Sequence, residues 1–257
     1  MRNFLTTILH PRFALVRQFV TLGVVLAFWE FAGVMGWLNQ LYMPRPSAIG
    51  VALRDLFLDG RIWPHMQATF TAALGGLVLG VLTGVVLGIV AALVRLLSEL
   101  IEPVMLILNA IPRVILAPLF IIWFGIGLGS KIALSFVLVA VVIFFNVFGA
   151  VKNVDRRLVE RIVTLGGGRW PLLRQVYLPS ITASVLHNLK VAVGFAFTGA
   201  VVGEFVGASR GLGYLISFAQ STYNAALMIA LVLLILAVVL IIFALANQAE
   251  KRLMQWR

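Results

Sequence analysis

Six runs of roughly twenty apolar residues recur along a chain of 257, and a run of that length has few places to go. Crossing about 30 Å of hydrocarbon takes roughly 20 helical residues at about 1.5 Å each. The runs fall near 19–37, 68–94, 104–124, 132–151, 181–203 and 226–246. None shows the period-two alternation of a barrel strand, so the backbone polar groups must be satisfied within helices. Composition agrees: 62% of the residues are hydrophobic and 11% charged, with a mean hydropathy of +1.08, too few charges to cover a soluble domain of this length. The sequence predicts an all-α polytopic protein of six transmembrane helices, a single domain over 1–257.

Charge sets the expected orientation. The formal net charge of +11 would suggest nucleic acid in a soluble protein, but here the basic residues lie mostly between the apolar runs. With six spans the termini share a side, and thirteen Lys and Arg fall there against five on the other, Arg45, Arg54, Arg61, Lys131 and Arg210. The positive-inside rule therefore places both ends, and the segment 152–179, in the cytoplasm. Arg2, Arg12 and Arg17 precede the first run, and no small-x-small cleavage site follows it, which reads as an uncleaved membrane helix. The outer loop 38–67 includes a stretch, 48–58, with the pattern of an interfacial amphipathic helix.

Several positions inside the spans carry alternatives. Gly76, Gly80, Gly84 and Gly88 recur every four residues and form one smooth stripe. Packing against a neighbouring helix of the same subunit is the favoured reading, a subunit contact the other. Pro112 and Pro118 each remove a backbone donor, which suits either the wall of a pathway or a packing kink. Arg113 calls for an anionic solute or a buried carboxylate, with Glu30 a candidate, or else snorkels to the headgroups. Asn109, Asn146, Asn188 and Lys190 face a pathway or satisfy a neighbouring helix. Glu204, at the outer mouth, is a gate or binding-protein contact on one reading and a solvated helix-end carboxylate on the other.

Other chemistry is excluded. His10, His65 and His187 are isolated and form no metal cluster. Cysteine is absent, which removes disulfides and thiolate chemistry. The Gly-rich run 125–131 lacks the Gly-Lys-Ser/Thr ending and the preceding strand of a phosphate loop.

One charged segment interrupts this pattern: Glu160-Arg161-Ile162, three residues, Gly166, nine residues, then Val176-Tyr177-Leu178-Pro179. It resembles the Glu-Ala-Ala, Gly, Ile-x-Leu-Pro signature in the membrane subunits of bacterial ATP-binding-cassette (ABC) importers, with Arg161 and Ile162 where that family usually has Ala. Further resemblances, to the nitrate-, sulfonate- and taurine-type permeases, lie in Met43–Ser47, in the Ile111–Lys131 stretch with its Trp-Phe-Gly-Ile-Gly and Ser-Lys, and in Glu204 followed by Gly211-Leu212-Gly213. Arg113 departs from the uncharged residues usual there.

The resemblance implies a type I importer permease fold and a segment 152–179 built as helix, turn at Gly166, and helix. That segment would dock into an ATPase subunit through Glu160, Arg161, Leu165, Gly166, Arg157 and Arg169. It implies two ATPase copies, a second permease subunit, either another copy of this chain in a homodimer or a close relative, an extracytoplasmic solute-binding protein and surrounding lipid, with no nucleic acid. ATP and Mg would bind the partner and no cofactor this chain. The solute would be a sulfonate, taurine, nitrate or similar anion, with a vitamin or pyrimidine precursor as the alternative. A gradient-driven secondary carrier and a non-transporting scaffold are the rival classes.

Overall fold

The structure, a computed structural model, describes residues 14–253, with the side chains of 14, 15, 113, 249 and 251–253 outside the described set. The readings of Arg2, His10 and Arg12, and of the Arg113 side chain, fall on residues outside it. In order the elements are α1 (Ala14–Val34), α2 (Pro46–Leu58), α3 (Ile62–Leu93), α4 (Arg95–Ala110), α5 (Arg113–Phe124), α6 (Leu128–Lys152), α7 (Arg156–Thr164) and α8 (Arg169–Leu172). A π-helical stretch (Leu173–Tyr177) then leads into α9 (Leu178–Val206), followed by α10 (Leu212–Ser221) and α11 (Ala225–Leu253). The described residues divide into two compact units, one of residues up to Gly60 with Phe218–Leu233, the other of Arg61–Ser217 with the residues from Leu234.

In the larger unit, α6 is the central helix. The glycine stripe of α3 lies on it: a Cβ at Gly80 would fall 2.6 Å from Val139 Cβ, at Gly84 2.8 Å from the Ala140 carbonyl oxygen, and at Gly88 2.9 Å from Val147 Cβ. Only glycine lets the two backbones approach so closely, and the favoured same-subunit reading of the stripe holds. Contacts climb together, Gly80 with Val139 and Gly88 with Val147, so α3 and α6 run parallel. Parallel neighbours require the chain between them to return to its starting end. Beside α3, α9 packs antiparallel on α6, with Ser135 Oγ donating to the Ala196 carbonyl at 2.7 Å and Ser184 Oγ to the Asn146 carbonyl at 3.2 Å.

That return is made by α4 and α5, and here the expected single span 104–124 is corrected. Two helices bent by 109° stand in its place. The break is at Ile111 and Pro112, which have extended ψ of 128° and 120°. Proline clashes with an α-helical residue before it and offers no N–H, so Ile111 leaves the helix. Pro118, by contrast, sits inside α5 without ending it. Five helices are long and apolar enough to cross a membrane, six when this bent pair counts as one span. The parallel register of α3 and α6 supports the six.

In the smaller unit, the expected outer-loop helix appears as α2. Its N-cap residue, Arg45, makes no side-chain cap. Glu30 of α1 supplies it instead, accepting from Ser47 N–H at 3.0 Å and Ser47 Oγ at 2.8 Å. Both carboxylate oxygens are thus engaged at the positive end of a helix, a role unlike the counter-ion to Arg113 that the sequence suggested. Glu30→Ala removes this cap and is expected to loosen the first turn of α2. Faster limited proteolysis between residues 38 and 61, with uptake little changed, is the expected outcome.

Candidate functional site

The segment 152–179 folds as the resemblance implied, for reasons that are local. Asp155 caps α7, its Oδ1 accepting from Arg157 N–H at 2.9 Å. The helix ends at Leu165, and Gly166 reverses the chain with φ +79°, a conformation costing an L-residue about 1–2 kcal/mol. A second helix starts at Arg169 and does not stop where the sequence suggested, before a separate span at 181. It runs unbroken to Val206, 38 residues in all. The π stretch is what permits this: Leu178 N–H donates to the Leu173 carbonyl, five residues back, and the wider turn accommodates Pro179, which has no N–H for Gln175.

None of α7 is buried within the chain. Leu165 is 77% exposed, and Leu158, Val163 and Trp170 are exposed beside it. Glu160 lies 3.9 Å from Arg156, both side chains well solvated, a contact worth little. Arg157, Arg161 and Arg169 are exposed as well. Apolar side chains rimmed by open charges make a face that wants a partner. The sequence singled out Leu165 on this face and missed Leu158, Val163 and Trp170. A tryptophan inside a charged segment was the available signal.

A second cluster occupies the other end of α9. Glu204 is 2% exposed and Lys131 3%, so the reading of Glu204 as a solvated helix-end carboxylate falls, and Lys131, counted among the outer loop cations, is interior. Glu204 Oε2 accepts from Thr69 Oγ1 at 2.8 Å and from Gly213 N–H at 2.9 Å. Thr69 Oγ1 in turn accepts from Leu212 N–H at 2.8 Å, and His65 Nδ1 from Gly211 N–H at 3.1 Å. The His65 ring stacks on Tyr214 with centroids 5.7 Å apart. Isolated in sequence, His65 is therefore engaged in the fold.

Lys131 donates to the carbonyls of Ile126 and, at 2.6 Å, Gly207, and to Ser130 Oγ at 3.3 Å. Gly207 caps the C-terminus of α9, where a cation meets the negative end of the helix. Glycine is demanded twice. At Gly211, with φ +122°, a Cβ would strike the Glu204 carboxylate, and at Gly213 one would fall 2.8 Å from Glu204 Cβ. A cavity of about 380 Å³ adjoins the cluster, lined among others by Gln67, Thr71, Lys131, Glu204 and Arg210.

The remaining sequence-predicted positions are scattered. Asn109 lies in the last turn of α4, exposed, and Asn146 is half-buried in α6. Asn188 Nδ2 donates to the Ser184 carbonyl of its own helix at 2.9 Å. Lys190 lies 3.2 Å from Glu250 of α11, with His187 at 3.3 Å from the same carboxylate. The Lys190 hydrogen bond, seconded by His187, holds Glu250 below the usual carboxylate range. Among the described residues no group of His, Cys, Asp or Glu is placed to hold a metal.

Comparison with known proteins is consistent in kind. Residues 84–255 match the family of binding-protein-dependent transport system inner membrane components. The riboflavin transport system permease protein RibX of Chloroflexus aurantiacus is 35% identical over 92% of this chain and 88% of its own. The aliphatic sulfonates transport permease protein SsuC of Escherichia coli is 35% identical over 77% of this chain and 74% of its own. A solved structure of the MetNI methionine ABC transporter superposes with TM-score 0.61, covering 78% of this chain and 98% of that one at 24% identity, a likeness of fold. With five or six apolar spans, the chain is a multi-pass inner-membrane protein of type I importer permease fold. It belongs to the binding-protein-dependent transport system inner membrane components, the permease subunits of ABC importers.

Proposed function

We propose that this permease is driven through α7, the Gly166 turn and α8, which seat on a separate ATPase subunit in the cytoplasm. The observation that carries the reading is the continuous helix Arg169–Val206. At about 1.5 Å per residue it is a rod of roughly 57 Å, long enough to join a cytoplasmic contact to the outer face. Leu165, Leu158 and Trp170 would bury apolar surface in the partner, and Glu160, Arg157, Arg161 and Arg169 would make polar contacts at the rim. ATP and Mg bind the partner. Two ATPases, a second copy of this chain and an extracytoplasmic solute-binding protein complete the assembly, with both termini of this chain cytoplasmic. Closure of the ATPase pair on ATP moves the docked helices, and the bundle switches from inward- to outward-facing.

Pro112, Pro118, Arg113, Asn109 and Asn146 remain the candidate pathway residues, with the freed carbonyls around Ile111 the best motivated. For the solute, a small organic or inorganic anion such as a sulfonate, taurine or nitrate is the reading carried by the motifs. Riboflavin or a pyrimidine precursor is the second, favoured by the riboflavin permease at equal identity. Relatives with such different solutes fit a division of labour in which the binding protein selects.

The test is reconstitution with the cognate ATPase and binding protein. ATP-dependent uptake of the binding protein's ligand is expected, and none without ATP. Uptake by this chain alone would sink the proposal.

A further inference from the structure

The rod Arg169–Val206 ends, at its outer tip, in the Glu204 cluster. A lever moves a load only if its far end is fastened to it. Three successive backbone N–H groups just past that tip, those of Gly211, Leu212 and Gly213, are taken by His65, by Thr69 and by Glu204 itself. Lys131 of α6 grips the carbonyl of Gly207 on the other side. Loop 207–213 is therefore bound at both ends, to α3 and to α6, with the last turn of the rod between them. A buried carboxylate facing N–H and hydroxyl donors is held by fixed partners rather than by water.

We infer that Glu204 is a positioning residue: through Thr69 and the Gly213 amide it pins the outer end of the α9 rod to α3 and to the start of α10, so that motion of α8 reaches the outer loop. This rests on the transport reading above. It differs from the expectation that Glu204 lines a gate or pathway as a charge. What the pin requires is an acceptor oxygen at Oε2, which a glutamine amide supplies, and the negative charge is dispensable.

The two roles separate in a pair of variants. In the reconstituted complex, Glu204→Gln is expected to keep uptake within about twofold of wild type. Glu204→Ala is expected to lower uptake at least tenfold while ATP hydrolysis continues, an uncoupling that simple loss of fold does not produce. Hydrogen–deuterium exchange of the peptide spanning 207–215 should rise at least tenfold in Glu204→Ala and stay unchanged in Glu204→Gln. That readout needs no transport, so it separates failure of the pin from failure of the transport reading.

Should Glu204→Ala fail to insert, Thr69→Val removes the bridging hydroxyl at nearly constant volume and is expected to raise exchange in the same peptide and to reduce uptake. Loss of uptake in Glu204→Gln with wild-type exchange would overturn the inference, because the charge would then matter. So would wild-type uptake in Glu204→Ala, or unchanged exchange in Thr69→Val.

Discussion

Replacing Leu165 with glutamate is expected to leave the subunit inserted and folded while abolishing its assembly with the ATPase. The side chain is 77% exposed and forms the corner between α7 and the Gly166 turn, so within the chain the substitution disturbs nothing. Under the docking proposed above the same side chain would be buried. Full burial of a leucine is worth about 1.5–3 kcal/mol, and a carboxylate forced into that place pays a desolvation cost in addition. About 3 kcal/mol or more corresponds to at least a hundredfold weaker binding. Co-purification of the ATPase with membranes carrying the variant, alongside uptake, measures it: the wild type retains the partner and the variant does not. Gly166→Val should act through backbone strain at φ +79°, and Glu160→Lys through the reversed charge at the rim. Both are expected to insert normally and to lose uptake, with smaller losses of assembly.

The second large effect is structural. At Gly84 a Cβ would lie 2.8 Å from a backbone oxygen of α6 and 2.9 Å from Ile143 Cβ, where no rotamer change makes room. Overpacking of a close helix pair costs 1–3 kcal/mol and more where backbone must move. Gly84→Val is expected to lose about 3 kcal/mol, which at this chain length corresponds to a fall of roughly 10 °C in thermal midpoint. Gly23→Ala is the control, since nothing lies within 4 Å of its Cβ, and its midpoint should hold or rise slightly, alanine being the better helix former. Thermal denaturation of the two purified variants in detergent distinguishes them. Equal midpoints would mean that the α3–α6 contact is looser than the structure has it.

Much of the architecture was legible because lipid leaves the chain so little choice. Run length alone gave the spans, and a four-residue glycine spacing gave the face of α3 that meets α6. Where reading stopped at local pattern, it failed. Continuous hydrophobicity across 104–124 hid a sharp bend, because hydropathy counts residues while the bend depends on one proline and the extended residue before it. The length of the α9 rod was hidden in the other direction. Pro179 looks like a helix boundary, and only a π turn carries the helix through it.

The two clusters differ for a similar reason. The α7 face is contiguous in sequence, so its charged residues, Leu165 and Gly166 can be named together, while Leu158, Val163 and Trp170 emerge only from their exposure. The Glu204 cluster joins residues 65, 69, 131 and 204–213, brought together by the parallel and antiparallel packing of three helices. Glu204 carried a motif and was noticed. Lys131 was counted as a loop charge, and Thr69 carried no signal, since a lone threonine in an apolar helix usually bonds its own backbone.

Residues 156–172 are proposed to face the cell interior and to bear on a second protein. The chain has no cysteine, so Leu165→Cys is a single, unambiguous probe for a membrane-impermeant maleimide. Intact right-side-out cells are expected to show no labelling, inverted vesicles stripped of the ATPase prompt labelling, and vesicles given back the cognate ATPase protection. Labelling from outside the cell, or labelling in inverted vesicles that the ATPase leaves unchanged, would contradict this placement.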